Sequence, residues 1–329
     1  MHEGASLTFH STPVLVSLGL ALALAGCCGT VRERNAIAPS GVRTRVPAWA
    51  ELVREDPDPE VVTDAALLDR IQQTGLAWWV TDKATQIEML LIPPGTYRRG
   101  ASLGDDRAGA DEKPAHDVTL TEPVYVGRTE VTNRQYRDHF EHDHDSKDYE
   151  GFNLNADDQP VVSVSWNDAR SFCDRNGFVL PTEGQWEYAA RGGTTTRYPW
   201  GDAPDAGRGW ANVQNPSVKQ RFGWTGESVS WEDGHTVTAP VASFRPNGFG
   251  LCDVIGNVWE WCSDAYDPRE YERHASGVTD PEGPASGSAR VLRGGSWFYG
   301  PSYCRSSRRG NYDSTGSTAF IGFRVARAP

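Results

Sequence analysis

From Thr195 onward the chain changes character: glycine, tryptophan, asparagine and aspartate recur in short runs, and few stretches could hold a regular helix or strand. Loops bury little apolar surface, and their backbone polar groups need partners, so a long irregular half requires internal cross-links. Bound metals, buried aromatics and disulfides are the available kinds. The composition agrees, because 34 glycines and 21 prolines in 329 residues favour tight turns while 12 tryptophans supply core volume. A chain of this length accommodates one large domain or two small ones. Its net charge of -12 argues against nucleic acid as a partner, which needs a basic footprint, and is compatible with bound cations.

The N-terminus carries a separate signal. The apolar run Val14 to Ala25 is short for a bilayer span and reads as the core of a signal peptide. The tetrad Leu24-Ala25-Gly26-Cys27 resembles a bacterial lipobox, which implies lipidation of Cys27 and export to the cell envelope. Residues 1–13 contain no Lys or Arg, a departure from the usual basic start, so a plain secretory signal is the alternative. Cys28 rather than Asp follows the lipidated position; by the sorting rule of Gram-negative lipoproteins this points to the outer membrane. Cys173, Cys252, Cys262 and Cys304 remain for an oxidising compartment, with three full pairings possible.

Local signals divide the rest. Residues 27–60 are rich in Pro, Arg and Glu and read as a tether. In residues 61–86, Thr63 is placed to cap a helix with Ala66, Leu67 and Ile71 on one face and Gly75 as its stop. "IEMLLI" predicts a buried strand ended by Pro93-Pro94-Gly95. Three capped helices follow: Thr132 with Gln135, Ser165 with Asp168 ending at Gly177, and Thr182 with Gln185 ending at Gly192-Gly193.

The segments "MLLIPPGTYRRGA", "HDVTLTEPVYVGRTEVTNRQY", "PVVSVSWNDARSFC", "LPTEGQWEYAARGG", "NGFGLCDVIGNVWEWCSD", "RVLRGGSW" and "IGFRVAR" occur in this order. Together they resemble the sulfatase-modifying-factor family, whose founding member is the formylglycine-generating enzyme. The resemblance implies a single α/β (α+β) domain over 87–329, similar to C-type lectins, low in regular structure and scaffolded by calcium. Residues 1–26 are then a lipoprotein signal peptide, and 61–86 resemble a leader segment without an assigned role.

Calcium takes hard oxygen ligands, many of them loop carbonyls. The resemblance implies one site from Asp253, the carbonyls of Gly256 and Val258, and Glu260. It implies another from Asn212, the Val213 carbonyl, Asp233 and the His235 carbonyl. The alternative is that these are turn residues with Asx-type hydrogen bonds. In the formylglycine-generating enzyme two cysteines bind Cu(I), which activates O₂ to oxidise a substrate cysteine. Cys304 falls on the second copper cysteine, whereas Tyr299 falls on the first. A phenol is a poor ligand for a soft monovalent ion, so copper chemistry is doubtful. Ser296, Trp259 and Tyr303 match residues lining the family's pocket.

Cys262 and Cys304 belong by resemblance to the same pocket region, and a disulfide between them is the favoured expectation over a copper pair. Cys173 matches a family disulfide position whose partner place is here Val325, so it is a buried free thiol or pairs with Cys252. His139, His142 and His144 have a metal-like spacing but read more simply as an exposed loop. Arg305, Arg308 and Arg309 either recognise an anionic or peptide ligand or pair with buried carboxylates; the second is favoured. Two functions follow: an oxidase acting on a cysteine-bearing peptide, or a monomeric, calcium-stabilised peptide- or ligand-binding module.

Overall fold

The computed structural model describes residues 44–142, 148–284 and 286–329. The apolar N-terminal run, Cys27, Cys28 and His144 lie outside the described residues. Strand β1 (Ala50–Arg54), helix α1 (Ala65–Gln73) and strands β2 (Trp79–Asp82), β3 (Glu88–Ile92) and β4 (Gly95–Arg99) open the fold. β5 (His116–Leu120), β6 (Val124–Gly127), α2 (Asn133–Arg137), β7 (Asp148–Tyr149) and β8 (Phe152–Asn153) follow. Then come α3 (Trp166–Asn176), α4 (Glu183–Arg191), α5 (Pro216–Phe222), β9 (Trp259–Ala265), α6 (Glu270–Arg273), β10 (Val278–Thr279), β11 (Ala289–Arg293), β12 (Gly310–Asp313), β13 (Ile321–Gly322) and β14 (Ala326–Arg327). They build a five-stranded sheet in the order β1-β2-β3-β6-β14, a four-stranded sheet β12-β11-β9-β13, a three-stranded sheet β10-β5-β4 and the small hairpin β7-β8.

β3 is apolar and buried from Met89 to Ile92, so it needs a neighbour on each edge to satisfy its backbone. β6 takes one edge, with Leu90 opposite Val126. β2 takes the other, with Trp79 opposite Leu90, and β1 pairs outside β2. Within the expected tether, residues 50–54 form an edge strand, and the expected leader segment 61–86 contains helix α1 and contributes strand β2 to the main sheet. α1 is capped by Asp64, not Thr63, and buries Leu67 and Ile71 while Ala66 stays exposed. The capping boxes of α2, α3 and α4 form as expected. Gly177 and Gly192 end their helices at φ 72° and 55°, in the left-handed region that favours glycine. Among the described residues no helix is long and apolar enough to cross a membrane.

α4 is the hub. It packs on β4, β5, β9 and β11, and eight of its nine residues are buried, including Glu183, Glu187 and Arg191. Glu183 accepts from Arg99 at 2.6 Å, Arg293 at 3.0 Å and Arg309 Nε at 2.7 Å. Glu187 accepts from Arg191 at 2.8 Å, Arg293 at 2.6 Å and the Gly100 amide at 2.8 Å. The four arginines therefore share two carboxylates, and further N–H groups of Arg191, Arg293 and Arg309 reach the carbonyls of Gly100, Thr196, Ser306, Ser307, Asp111 and Asp267. Burial alone would raise the Glu183 carboxyl, but Arg309, Arg99 and Arg293 outweigh it and hold it well below the usual range. The arginines come from β4, α4, β11 and the loop before β12, so this one cluster ties together elements separated by more than 200 residues.

Sulfur does not contribute. Cys173, Cys252, Cys262 and Cys304 are all buried free thiols, which corrects the expected Cys262–Cys304 disulfide and leaves Cys173 and Cys252 unpaired as well. The physical reason is that the two thiols have different surroundings. Cys262 sits in β9 near Asp264, Glu183 and Arg293, whereas Cys304 lies beneath the Ser296–Tyr299 turn.

Removing one charge from the α4 cluster strands its partners in the interior. Glu187→Gln is expected to lower unfolding free energy by about 3–5 kcal/mol, read by urea denaturation. Asp264, beside this cluster, accepts from the Glu183 amide at 2.8 Å. Burial first, then Glu183, pushes its carboxyl up from 3.8 to about 7. The folded state thus holds a proton that the unfolded state has released, and stability falls as pH rises through that window. Asp264→Asn should flatten this dependence by on the order of 2–4 kcal/mol between pH 4 and 8, measured as unfolding free energy against pH.

Candidate functional site

The loop after β11 begins with Gly294 and Gly295 at φ 93° and 79°. A Cβ on Gly295 would lie 2.4 Å from the Cys304 sulfur, so glycine is what lets the returning chain close on this turn. Ser296 is buried, its Oγ accepting from the Phe298 amide at 3.3 Å and its carbonyl from the Tyr299 amide at 3.0 Å. The short turn Pro301–Tyr303 carries the chain back, and the Cys304 amide donates to the Pro301 carbonyl at 3.1 Å. Cys304 is fully buried, its thiol directed at the carbonyls of Ser296 and Tyr299 at 3.7 and 3.6 Å. Burial pushes it up to about 12, so it is a protonated thiol at neutral pH.

Over this turn opens a cavity of about 430 Å³ between the β12 segment and the Tyr299–Tyr303 loop. Its walls are aromatic: Trp259, Tyr266, Tyr299, Tyr303, Tyr312 and Phe320. Tyr299 stands edge-on to Trp259 at 5.9 Å and 5.3 Å from the Tyr303 ring. Burial, then Tyr303 and Cys304, raise its phenol, which therefore stays neutral. Gly310 admits the Trp259 ring, since a Cβ there would meet it at 3.1 Å. Asp111 and Arg308 bring the charge, with Asp111 accepting from the Tyr266 hydroxyl at 2.8 Å.

Of the expected pocket residues, Trp259 and Tyr303 line the cavity, while Ser296 and Cys304 are sealed behind the Tyr299 turn. The three arginines divide as favoured. Arg305 grips both oxygens of Glu112 at 2.7 and 2.8 Å and also Asp105 at 2.7 Å, while Arg309 is spent on Glu183. Arg308 differs: it lies over the Tyr303 ring at 5.0 Å, with its nearest carboxylate oxygen, on Glu112, 3.6 Å away. Among the histidines, His139 packs on Phe172 and His142 meets the Val162 carbonyl at 3.1 Å. Among the described residues no group of three or more His, Cys, Asp or Glu side chains is arranged for a metal. Tyr266, Tyr312, Phe320 and Asp111 escaped the sequence reading, because they lie outside any motif and meet only when the chain returns through β12 and β13.

The copper site does not fit this donor set. A near-linear cuprous site needs two soft thiolates; here one protonated thiol lies under a phenol, and Cys262 has other surroundings. The calcium positions fit better, since hard oxygens are present and some are unclaimed. Asn212 Oδ1 and Asp253 Oδ1 are buried without a hydrogen-bond partner among the described residues. Asp233 and the His235 carbonyl are drawn together by Asn215 Nδ2 at 2.8 and 3.2 Å, and the Val213 amide donates to Asp233 at 3.2 Å. Asp253, Gly256 and Val258 lie in the segment leading into β9, and Glu260 is the second residue of that strand. Glu260, however, is engaged already: Arg324 holds it at 2.5 and 2.6 Å and the Trp186 indole at 2.6 Å.

A mixed α/β body with short strands, long ordered loops and an aromatic pocket is a C-type-lectin-like architecture. The sulfatase-modifying factor enzyme 1-like domain matches residues 79–329, and the chain belongs to that family. The chain is 35% identical over 287 residues to the formylglycine-generating enzyme of Streptomyces coelicolor, covering 71% of this chain and 87% of that protein. It is 29% identical over 268 residues to the inactive C-alpha-formylglycine-generating enzyme 2 of Bos taurus, covering 65% and 84%. Among solved structures, PvdO from Pseudomonas aeruginosa superposes with a TM-score of 0.61 at 24% identity, covering 76% of this chain and 98% of that one. That likeness bears on the fold alone.

The thiol assignments are open to a direct check. With no reductant added, Cys173, Cys252, Cys262 and Cys304 should resist a maleimide in the native protein and all four should label after denaturation, as read by peptide mass spectrometry. A Cys262–Cys304 bridge would instead leave two of them unlabelled.

Proposed function

We propose that this is a lipid-anchored envelope protein, attached through Cys27, whose formylglycine-generating-enzyme-like domain binds a protein or peptide segment in the aromatic pocket without copper-dependent oxidation. One observation carries the reading: Tyr299 occupies the pocket wall where a second thiolate would be needed, and Cys304 is sealed beneath it. A ring-lined cavity that also carries polar and charged groups suits an extended peptide, the rings giving contact area and Arg308 and Asp111 giving orientation. The inactive bovine relative is a precedent for the fold without the oxidation. Calcium, held by oxygens of Asp253, Asn212 and Asp233 and their neighbouring loop carbonyls, supplies positive charge that pins the loops; it takes no part in chemistry here.

The test uses a fluorescent peptide bearing a sulfatase-type cysteine. Anisotropy should show binding that weakens about tenfold or more in Tyr312→Ala, a loss typical of a buried aromatic anchor. Incubation of the peptide with the protein, copper and air should yield no aldehyde by mass spectrometry. Tyr299→Cys should gain affinity for Cu(I) in a competition titration. Aldehyde formation by the unaltered protein, lost in Cys304→Ala, would establish the oxidase instead.

A further inference from the structure

Arg305, Arg308 and Arg309 share the loop before β12, and only the first and last are spent on interior carboxylates. Arg308 forms part of the cavity wall, and its side chain is 27% exposed. Its Nε has no hydrogen-bond partner among the described residues. The nearest carboxylate oxygen, Oε1 of Glu112 at 3.6 Å, lies beyond hydrogen-bond range and is already filled. Oε1 accepts from Arg305 Nη2 at 2.8 Å and the Gly109 amide at 3.0 Å. Oε2 accepts from Arg305 Nη1 at 2.7 Å and Ser307 Oγ at 2.8 Å. Two donors to each oxygen use the whole capacity of a carboxylate. Arg308 is therefore drawn to Glu112 by charge, while its donor fork is left without an acceptor there.

The setting says what would supply one. The Arg308 guanidinium lies over the Tyr303 ring at 5.0 Å, which holds its plane in place before any ligand arrives. Tyr303 and Tyr312, 43% and 40% exposed, add uncovered ring surface to the same cavity. A guanidinium fork beside bare rings takes an acid group that sits next to an aromatic side chain. The surrounding charge sets the valence. Asp111 lines the same cavity and Glu112 is close by, so a singly charged carboxylate is favoured over a phosphate, whose further charge would meet both. Asp111, bonded to the Tyr266 hydroxyl at 2.8 Å, repels the acid from its own side and so gives the ligand a direction.

We infer that the pocket selects peptides in which a carboxylate, from an acidic side chain or a free C-terminus, stands beside an aromatic residue, and that Arg308 receives that carboxylate. The inference rests on the reading of the cavity as a peptide site and adds to it the charge of the ligand.

Anisotropy titration of the full chain with matched peptides, each bearing a neutral fluorophore at its N-terminus, tests it. Three share one amidated sequence in which phenylalanine is followed by glutamine, glutamate or phosphoserine; the fourth ends at the phenylalanine with a free carboxylate. At least one carboxylate peptide should bind about 10–100-fold more tightly than the glutamine peptide, the value of a hydrogen bond to a charged group, and which one does so separates side chain from terminus. Arg308→Gln should bring the carboxylate peptides down to the affinity of the glutamine peptide. If that variant does not fold, Arg308→Lys takes its place: it keeps the charge without the fork and should lose part of the preference, and an undiminished preference overturns the proposal. Equal binding of all four peptides by the unaltered chain would overturn it and leave the peptide reading standing. A preference that survives Arg308→Gln, or tightest binding of the phosphoserine peptide, would overturn it as well. Binding of none of the four would remove the peptide reading with it.

Discussion

The structure depends on the buried pairing of α4's two glutamates with four arginines. Each guanidinium presents a planar fork, so one carboxylate can organise several segments at once with defined directions. Glu183 and Glu187 sit one turn apart on the same helix, and between them they fix β4, β11 and the loop before β12. The charges left over are absorbed by carbonyls of segments that make no regular ladder, such as Ser306 and Ser307. An irregular chain has many such orphan carbonyls, and arginine has donors to spare. This is how a body rich in loops satisfies its backbone without long helices or strands.

The pocket inherits its rigidity from that arrangement. Arg305 and Arg309 point inward and lock the segment that bears them to Glu112 and Glu183, which leaves Arg308 between them facing the cavity. The same turn that seals Cys304 presents Tyr299 to the ligand space. Tyr299 completes an aromatic wall with Trp259, Tyr303 and Phe320.

Much of the fold was legible in short signals. Capping boxes at Thr132, Ser165 and Thr182 and the stops at Gly177 and Gly192 depend on neighbours within four residues, and they hold in the structure. The family and its lectin-like class were readable from ordered motifs. What escaped depends on long-range pairing. β1 read as tether because residues 27–60 are rich in Pro, Arg and Glu, and its assignment needed β2 as a partner. The disulfide expectation failed because adjacency of two motifs in a family pocket does not fix where each thiol points. Glu130 sits in "GRTEVTN", where its position beside a helix cap hides that it is buried, and Tyr312 lies in a strand whose lining role needs β11 beneath it.

The absence of sulfur bridges among the four described cysteines has an outcome for where and when this body can assemble. A framework closed by guanidinium and carboxylate needs neither an oxidant nor an isomerase, so it is the same in a reducing and in an oxidising milieu. Its vulnerability is acid instead, since protonating the acceptors of Arg305 or Arg309 undoes the closure from within.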